Sequence, residues 1–227
     1  MKSANNFAVA IRLLSILTLI PACSHPPHIE NPAFEVMDNK QTGIDFSNTL
    51  HPTRDFNVFD YMYYYNGGGI GAGDFNNDGK IDLFFAANQG PNQLYLNEGG
   101  LHFKDVTTEA QIPEDHGWST GVSVVDINND GLLDIYICRV GRLNGLPVSH
   151  NQLLICQGID KNGVPTYKDE AAAYGLDFSG FSTQAVFFDY DGDGDLDMYL
   201  LNHSIHQNGT FGPRLQKLAT RDRKSVV

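Results

Sequence analysis

The 227-residue sequence predicts an all-β fold assembled from repeated four-stranded antiparallel units. Three observations lead there. An acidic motif recurs at offsets of 52 and 63 residues. β-prone runs stand at matching places after each copy. Each motif is an Asp- and Gly-rich turn of a length that closes a hairpin.

The repeat core is D-x-[DN]-x-D-G-x-x-D. It occurs as Asp74-Phe-Asn76-Asn-Asp78-Gly79-Lys80-Ile-Asp82, as Asp126-Ile-Asn128-Asn-Asp130-Gly131-Leu132-Leu-Asp134, and as Asp189-Tyr-Asp191-Gly-Asp193-Gly194-Asp195-Leu-Asp197. Directly after each copy comes a continuous β-prone run: Leu83 to Ala86, Ile135 to Cys138 and Met198 to Leu201. Continuous runs of this kind predict strands covered on both faces. A third strand follows in the first two units, Asn92 to Leu96 and Asn151 to Ile155, and then a fourth, Phe103 to Val106 and Tyr167 to Glu170. Four short strands per unit at this spacing predict blades of a partial β-propeller. The units are expected at 66–113, 114–176 and, incompletely, 177–221.

The formal net charge is -12, and eleven of the 27 acidic residues sit inside the three loops. That distribution argues against nucleic acid as a partner, which would require a basic face. It also has a chemical reason. Calcium takes six to eight oxygens at about 2.3–2.6 Å, and alternate positions of a tight loop can turn inward to supply them. Positions 1, 3, 5 and 9 of each loop are the expected side-chain ligands. These are Asp74, Asn76, Asp78 and Asp82; Asp126, Asn128, Asp130 and Asp134; and Asp189, Asp191, Asp193 and Asp197. Position 7, occupied by Lys80, Leu132 and Asp195, is expected to ligate through its backbone carbonyl. The glycine at position 6 permits the sharp bend. Two carboxylates about 4 Å apart repel by roughly 4 kcal/mol at an effective dielectric near 20, so a cation should order these loops. The third loop has the most carboxylates and is expected to bind tightest. An EF-hand would need a bidentate Glu at position 12 between helices. Phe85, Ile137 and Leu200 stand there instead, each inside a β-prone run.

These features resemble the FG-GAP or VCBS repeat family, calcium-loop propeller blades also found in integrin α-chains. The motifs that carry the resemblance are Gly69-Ile-Gly71-Ala-Gly73-Asp74-Phe-Asn-Asn-Asp78-Gly79 with Asn92-Gln-Leu-Tyr-Leu-Asn97, and Trp118-Ser119 through Asp126-Ile-Asn-Asn-Asp130-Gly131-Leu-Leu-Asp134-Ile-Tyr136. The pattern is similar to secreted bacterial VCBS-repeat proteins related to cartilage acidic protein, in which a propeller is often followed by an ASPIC/UnbV domain. The literal FG and GAP signatures are absent, with Ala86-Ala87-Asn88 at the GAP position. The resemblance implies the same loop ligands, position for position, and a larger ring than this chain supplies.

The ends read differently from the middle. Residues 1–22 have the charge and short apolar core of an export signal. Leu19-Ile20-Pro21-Ala22-Cys23 resembles a lipobox, which makes Cys23 the expected lipidation site and the cell envelope the expected location. Residues 23–65 are read as a tether and N-terminal strands, with Phe34, Val36, Ile44 and Phe46 packing on the first unit. Residues 222–227 match a translated sequencing adapter, so the chain is expected to continue past about residue 221.

Other signals are weaker. Gly67 to Ala72 loosely satisfies a dinucleotide-binding pattern but leads into an acidic loop, not a helix. Closely packed inner strands explain these glycines better. Cys138 and Cys156 could form a disulfide or remain two buried thiols. His203 and His206 form a local pair without zinc-protease spacing. The run Tyr61-Met62-Tyr63-Tyr64-Tyr65 is read as packing in preference to a recognition surface. No nucleophile elbow or Cys-His pairing is present, so catalysis within this segment is not expected. The functional expectation is a calcium-binding envelope module for adhesion or for binding a glycan or protein. The alternative is the propeller portion of a larger envelope enzyme, for example a glycan-processing one, with its catalytic domain elsewhere.

Overall fold

A computed structural model describes residues 34–115, 117–141 and 148–203. The expectations for the export signal, Cys23, His206 and the adapter-like tail lie outside these residues. Phe34–Met37 belong to a preceding compact unit, and all four are exposed. The described residues from Asp38 onward belong to one compact unit.

That unit begins with a single helical turn, α1 (Asn39–Thr42), which the sequence reading missed. Its signals were nevertheless present. Asp38 and Gln41 form a reciprocal capping box, and Gly43 takes the left-handed conformation at φ 74° to end the turn. Among the described residues 34–65 the expected N-terminal strands do not form. Phe34 and Val36 are exposed in the preceding unit, and residues 43–50 run without a strand ladder. Burial still alternates along 43–50, so that Ile44, Phe46, Asn48 and Leu50 are partly buried while their neighbours are exposed. Phe46 stacks on Phe85 at 4.8 Å between ring centroids. The Asn48 amide donates to Asn88 Oδ1 at 2.7 Å. The Tyr95 hydroxyl donates to Asp45 at 2.7 Å. The segment is thus an extended strap held by side chains, not by a ladder.

The ten strands among the described residues are all antiparallel to their neighbours, in two meanders and a hairpin. The first sheet is β1 (Ile70–Gly73), β2 (Asp82–Phe85), β3 (Gln93–Gly99) and β4 (His102–Asp105), in that order. The second repeats it with β5 (Trp118–Val125), β6 (Asp134–Val140), β7 (Gln152–Ile159) and β8 (Pro165–Asp169). The third is the hairpin β9 (Ser182–Phe188) and β10 (Asp197–Asn202). The chain is therefore all-β, its two four-stranded sheets having the architecture of partial propeller blades.

Period-2 alternation sends successive side chains to opposite faces, and both faces of the second sheet are used. Phe84, Ala86, Leu94 and Leu96 of the first sheet share a core with Val122, Ile135, Ile137, Leu154 and Cys156 of the second. On the other face, Tyr136, Cys138, Leu153 and Ile155 pack with Ala185, Phe187, Met198 and Leu200. Every residue of β6 is buried, as its continuous apolar run requires. β10 departs from that expectation. Its neighbour covers only one face, and Val186, Phe188, Tyr199 and Leu201 remain exposed on the other.

The glycine run before β1 permits close packing, as expected. A side chain at Gly68 would collide with the carbonyl of Ala86, and one at Gly69 with the backbone of Thr120 and Val122. The tyrosine run divides. Tyr61 and Tyr64 are buried with Phe56, Trp118 and Val140, which is the packing role, while Met62 and Tyr65 are exposed.

Leu154 has no exposed surface and sits in the core shared by the first two sheets. Leu154→Ala should therefore lower the free energy of unfolding by about 2–5 kcal/mol in urea denaturation. A loss below about 1 kcal/mol would contradict a shared core.

Candidate metal-binding loops

Each acidic loop joins the first two strands of its sheet, between the register pairs Gly73↔Asp82, Val125↔Asp134 and Phe188↔Asp197. The three loops are wound onto their carboxylates in the same way. At position 1, Asp74 accepts from the amides of Asp78 (2.9 Å) and Gly79 (2.8 Å). Asp126 accepts from Asp130 (3.0 Å) and Gly131 (2.9 Å). Asp189 accepts from Asp193 (3.2 Å) and Gly194 (3.0 Å). At position 5, Asp78, Asp130 and Asp193 accept from the amides of Lys80, Leu132 and Asp195 at 2.8–2.9 Å. At position 9, Asp82, Asp134 and Asp197 accept from the amides of Phe75, Ile127 and Tyr190 at 2.9–3.0 Å.

This winding requires two left-handed residues per loop. One is the expected glycine at position 6, with φ of 85°, 85° and 95° at Gly79, Gly131 and Gly194. The other is position 4, where Asn77, Asn129 and Gly192 have φ of 54°, 56° and 77°. The sequence reading assigned position 4 no role. Its Asn, Asn, Gly composition was the signal, since these residues tolerate that conformation best.

Position 9 does more than its sequence role implied. Asp82 and Asp134 are fully buried, and each uses its second oxygen to accept an amide from the third strand, Asn97 and Cys156 respectively, at 2.8 Å. Burial pushes both carboxyls above their ordinary range, Asp134 to about 6, and the neighbouring loop aspartates add to the shift. The amide bonds oppose it.

Position 3 separates the loops into two kinds. Asn76 and Asn128 each accept the amide of position 5 through Oδ1. Each also donates through Nδ2 to the position 5 carboxylate, at 3.4 and 2.9 Å. In the third loop position 3 is Asp191, whose carboxyl is raised first by burial and then by Asp193. Here carboxylate oxygens of Asp189, Asp191 and Asp197 all lie within 4.8 Å of one another. Two oxygens on opposite sides of one calcium would be about 4.6–5.2 Å apart, so this set fits that cation. It is the one such carboxylate group among the described residues.

Position 7 proves individual in each loop. The Lys80 ammonium pairs with Asp78 at 2.7 Å, which lowers the Asp78 carboxyl and raises the lysine. Leu132 packs against the core, and Asp195 is exposed. Two contacts cross between repeats and left no trace in the motif. Asn77 Nδ2 donates to the carbonyl of Gly131 at 3.1 Å, and Asn76 Nδ2 to that of Gly163 at 3.2 Å.

Of the two alternatives open for Cys138 and Cys156, the structure has the buried thiols and not the disulfide. Cys138 and Cys156 are both free and buried. Cys138 lies beyond the Ile137↔Gln152 pair at one end of the β6–β7 ladder, and Cys156 beyond Ile135↔Leu154 at the other. They also belong to different cores, on opposite faces of the sheet.

Residues 74–137 match the FG-GAP-like repeat family model. The match runs from the first loop through the rest of the first sheet and into β6. The chain is also similar to cartilage acidic protein 1. It is 30% identical to the human protein over 139 residues, covering 60% of this chain and 20% of that one. To the Xenopus tropicalis protein it is 28% identical over 159 residues, 70% of this chain and 23% of the relative. The chain thus spans about a fifth of the length of these curated relatives. The repeat family and the three-sheet architecture together support a β-propeller-like module.

The raised carboxyl of Asp134 sets a pH dependence. Its folded pKa, about 6, lies above the unfolded value near 3.9, so the metal-free fold gains stability as this group takes up its proton. With excess EDTA, the stability of wild type relative to Asp134→Asn should rise by about 1–3 kcal/mol between pH 7 and pH 4, measured by urea denaturation. A flat difference across that range would show that Asp134 is not held as a buried carboxyl.

Proposed function

We propose that this chain is a calcium-binding, exported repeat module that serves binding or adhesion at a bacterial cell envelope, tethered through lipid at Cys23. Support for the metal comes first from the three loops having one hydrogen-bond scheme around the same carboxylate offsets. The oxygen set of Asp189, Asp191 and Asp197 carries the reading furthest, because an exposed cluster of three acids is repulsive without a cation.

Calcium would be held by positions 1, 3, 5 and 9 and would supply charge neutralisation, not chemistry. The chain's own contribution is to present the oxygens. Position 1 gathers the amides of positions 5 and 6, and position 9 ties the loop to the strand beneath it. A cation there pins the hairpin that links the first two strands of each sheet. The first loop already carries the Lys80 ammonium on Asp78, so a metal must displace that contact, which makes the first loop the weaker site. Support for an envelope location comes from the sequence resemblance to secreted repeat proteins and from the lipobox-like segment. Calcium is plentiful outside cells, where modules bind it at about 10⁻⁴–10⁻³ M.

At 10 mM calcium, binding in that range stabilises a fold by about 1.4–2.7 kcal/mol per site. The thermal midpoint should accordingly rise by about 3–10 °C over that in EDTA for each site that fills. The triple variant Asp74→Ala, Asp126→Ala, Asp189→Ala should lose that response. An unchanged midpoint in wild type, or a response retained by the triple variant, would refute the metal reading.

A further inference from the structure

Away from the loops, the first strands of all three sheets begin around one cavity of about 340 Å³. Its aromatic wall is Tyr61, Tyr63 and Trp118, and its polar groups include Thr183, Gln184 and His203. The remainder is largely glycine backbone, Gly67 to Gly69 and Gly121. Gly67 has φ of 82° and open space where a side chain would project, so backbone is presented here without a covering side chain.

The charge of the lining is informative. In a chain of net charge -12, no Asp, Glu, Lys or Arg among the described residues contributes to it. A charged ligand would therefore be desolvated without a counter-charge, which is costly. A neutral ligand incurs no such cost.

The polar groups are held in place and not fully used. Gln184 Nε2 donates to the carbonyl of Val122 at 3.0 Å and to Ser123 Oγ at 3.2 Å, fixing the amide. His203 lies between Tyr61, Tyr63 and Phe181, with ring centroids at 5.6, 4.4 and 5.2 Å. Its Nδ1 meets Thr183 Oγ1 at 3.3 Å. Its Nε2 is buried and has no partner among the described residues. Burial lowers the pKa of this histidine, so the ring is neutral at pH 7 and offers one donor or acceptor, according to tautomer. An unpaired buried polar atom is destabilising, which a hydrogen bond to a ligand hydroxyl would relieve.

We propose that this cavity is a binding site for a neutral sugar ring. The aromatic wall suits the apolar C–H face of a pyranose, while the imidazole, amide and hydroxyl suit its hydroxyl edge. The volume, at the lower end of ligand pockets, matches one or two rings. The inference names a ligand class for the binding module proposed above and does not depend on the metal.

The test uses the only tryptophan in the chain, Trp118, which lines the cavity and reports on it by fluorescence. The full chain is titrated with glucose, N-acetylglucosamine and glucuronate at pH 7, in excess calcium and again in EDTA. At least one neutral sugar should give a saturable change with a dissociation constant on the order of 1 mM. Glucuronate should bind at least roughly tenfold more weakly, since its charge has no partner. His203→Phe, which preserves the aromatic packing and removes Nε2, should weaken sugar binding by a similar factor without lowering the thermal midpoint. Tyr63→Leu, at a half-buried position, is the second variant should the first not fold. Saturation by no neutral sugar up to roughly 100 mM, equal binding of glucuronate, or full affinity in the variant would overturn the proposal. A calcium-dependent midpoint without sugar binding rejects the cavity alone. Sugar binding without a calcium effect rejects the metal alone.

Discussion

One buried aspartate in each of the first two repeats ties that repeat's loop to its own sheet. Asp82 and Asp134 have no exposed surface, and each must find partners for both carboxylate oxygens inside the protein. Each accepts one amide from the loop above it and one from the third strand beside it. Loop, hairpin and sheet are thereby tied at a single side chain. Leaving either amide unpaired would cost about 1–3 kcal/mol, so the position tolerates little besides a carboxylate. The same residue is the last of the proposed cation ligands in each loop. Metal binding of the proposed kind would thus share one arrangement with sheet integrity, and the burial that raises the Asp134 carboxyl is the cost of that arrangement without metal.

The inner strands connect the two ends of the module. β5 runs from Trp118 and Thr120 at the cavity to Val125 beside the second loop, and β9 runs from Thr183 to Phe188 beside the third. Six residues of strand, from Thr120 to Asp126, span about 20 Å. The loops therefore fix one end of strands whose other ends wall the cavity. A cation bound as proposed would act on the proposed recognition site from that distance by holding strands in register, without contacting the ligand.

Much of this was legible in the sequence because it is periodic. The D-x-[DN]-x-D-G-x-x-D spacing located the hairpin loops, and the apolar runs after it located β2, β6 and β10 at nearly their observed bounds. Contacts governed by distance in space were not legible. Asn77 reaching the Gly131 carbonyl, the third-strand amides on Asp82 and Asp134, and the cavity around His203 all join residues far apart in the chain. The N-terminal strands failed for a different reason. Residues 43–50 alternate in burial as a strand does, but side-chain hydrogen bonds from Asp45 and Asn48 take the place of a ladder, and alternation alone does not distinguish the two. Cys138 and Cys156 stand on adjacent strands, yet register and face separate them, and neither can be read from composition.

The central claim is that each acidic loop is a cation cage built on one scheme. Counting bound calcium per chain, by native mass spectrometry after equilibration in millimolar calcium, tests it most directly. Three calcium ions per chain, falling to two in Asp189→Ala, is the result this account predicts. A chain that holds no calcium, or an Asp189→Ala variant that retains three ions, would contradict it.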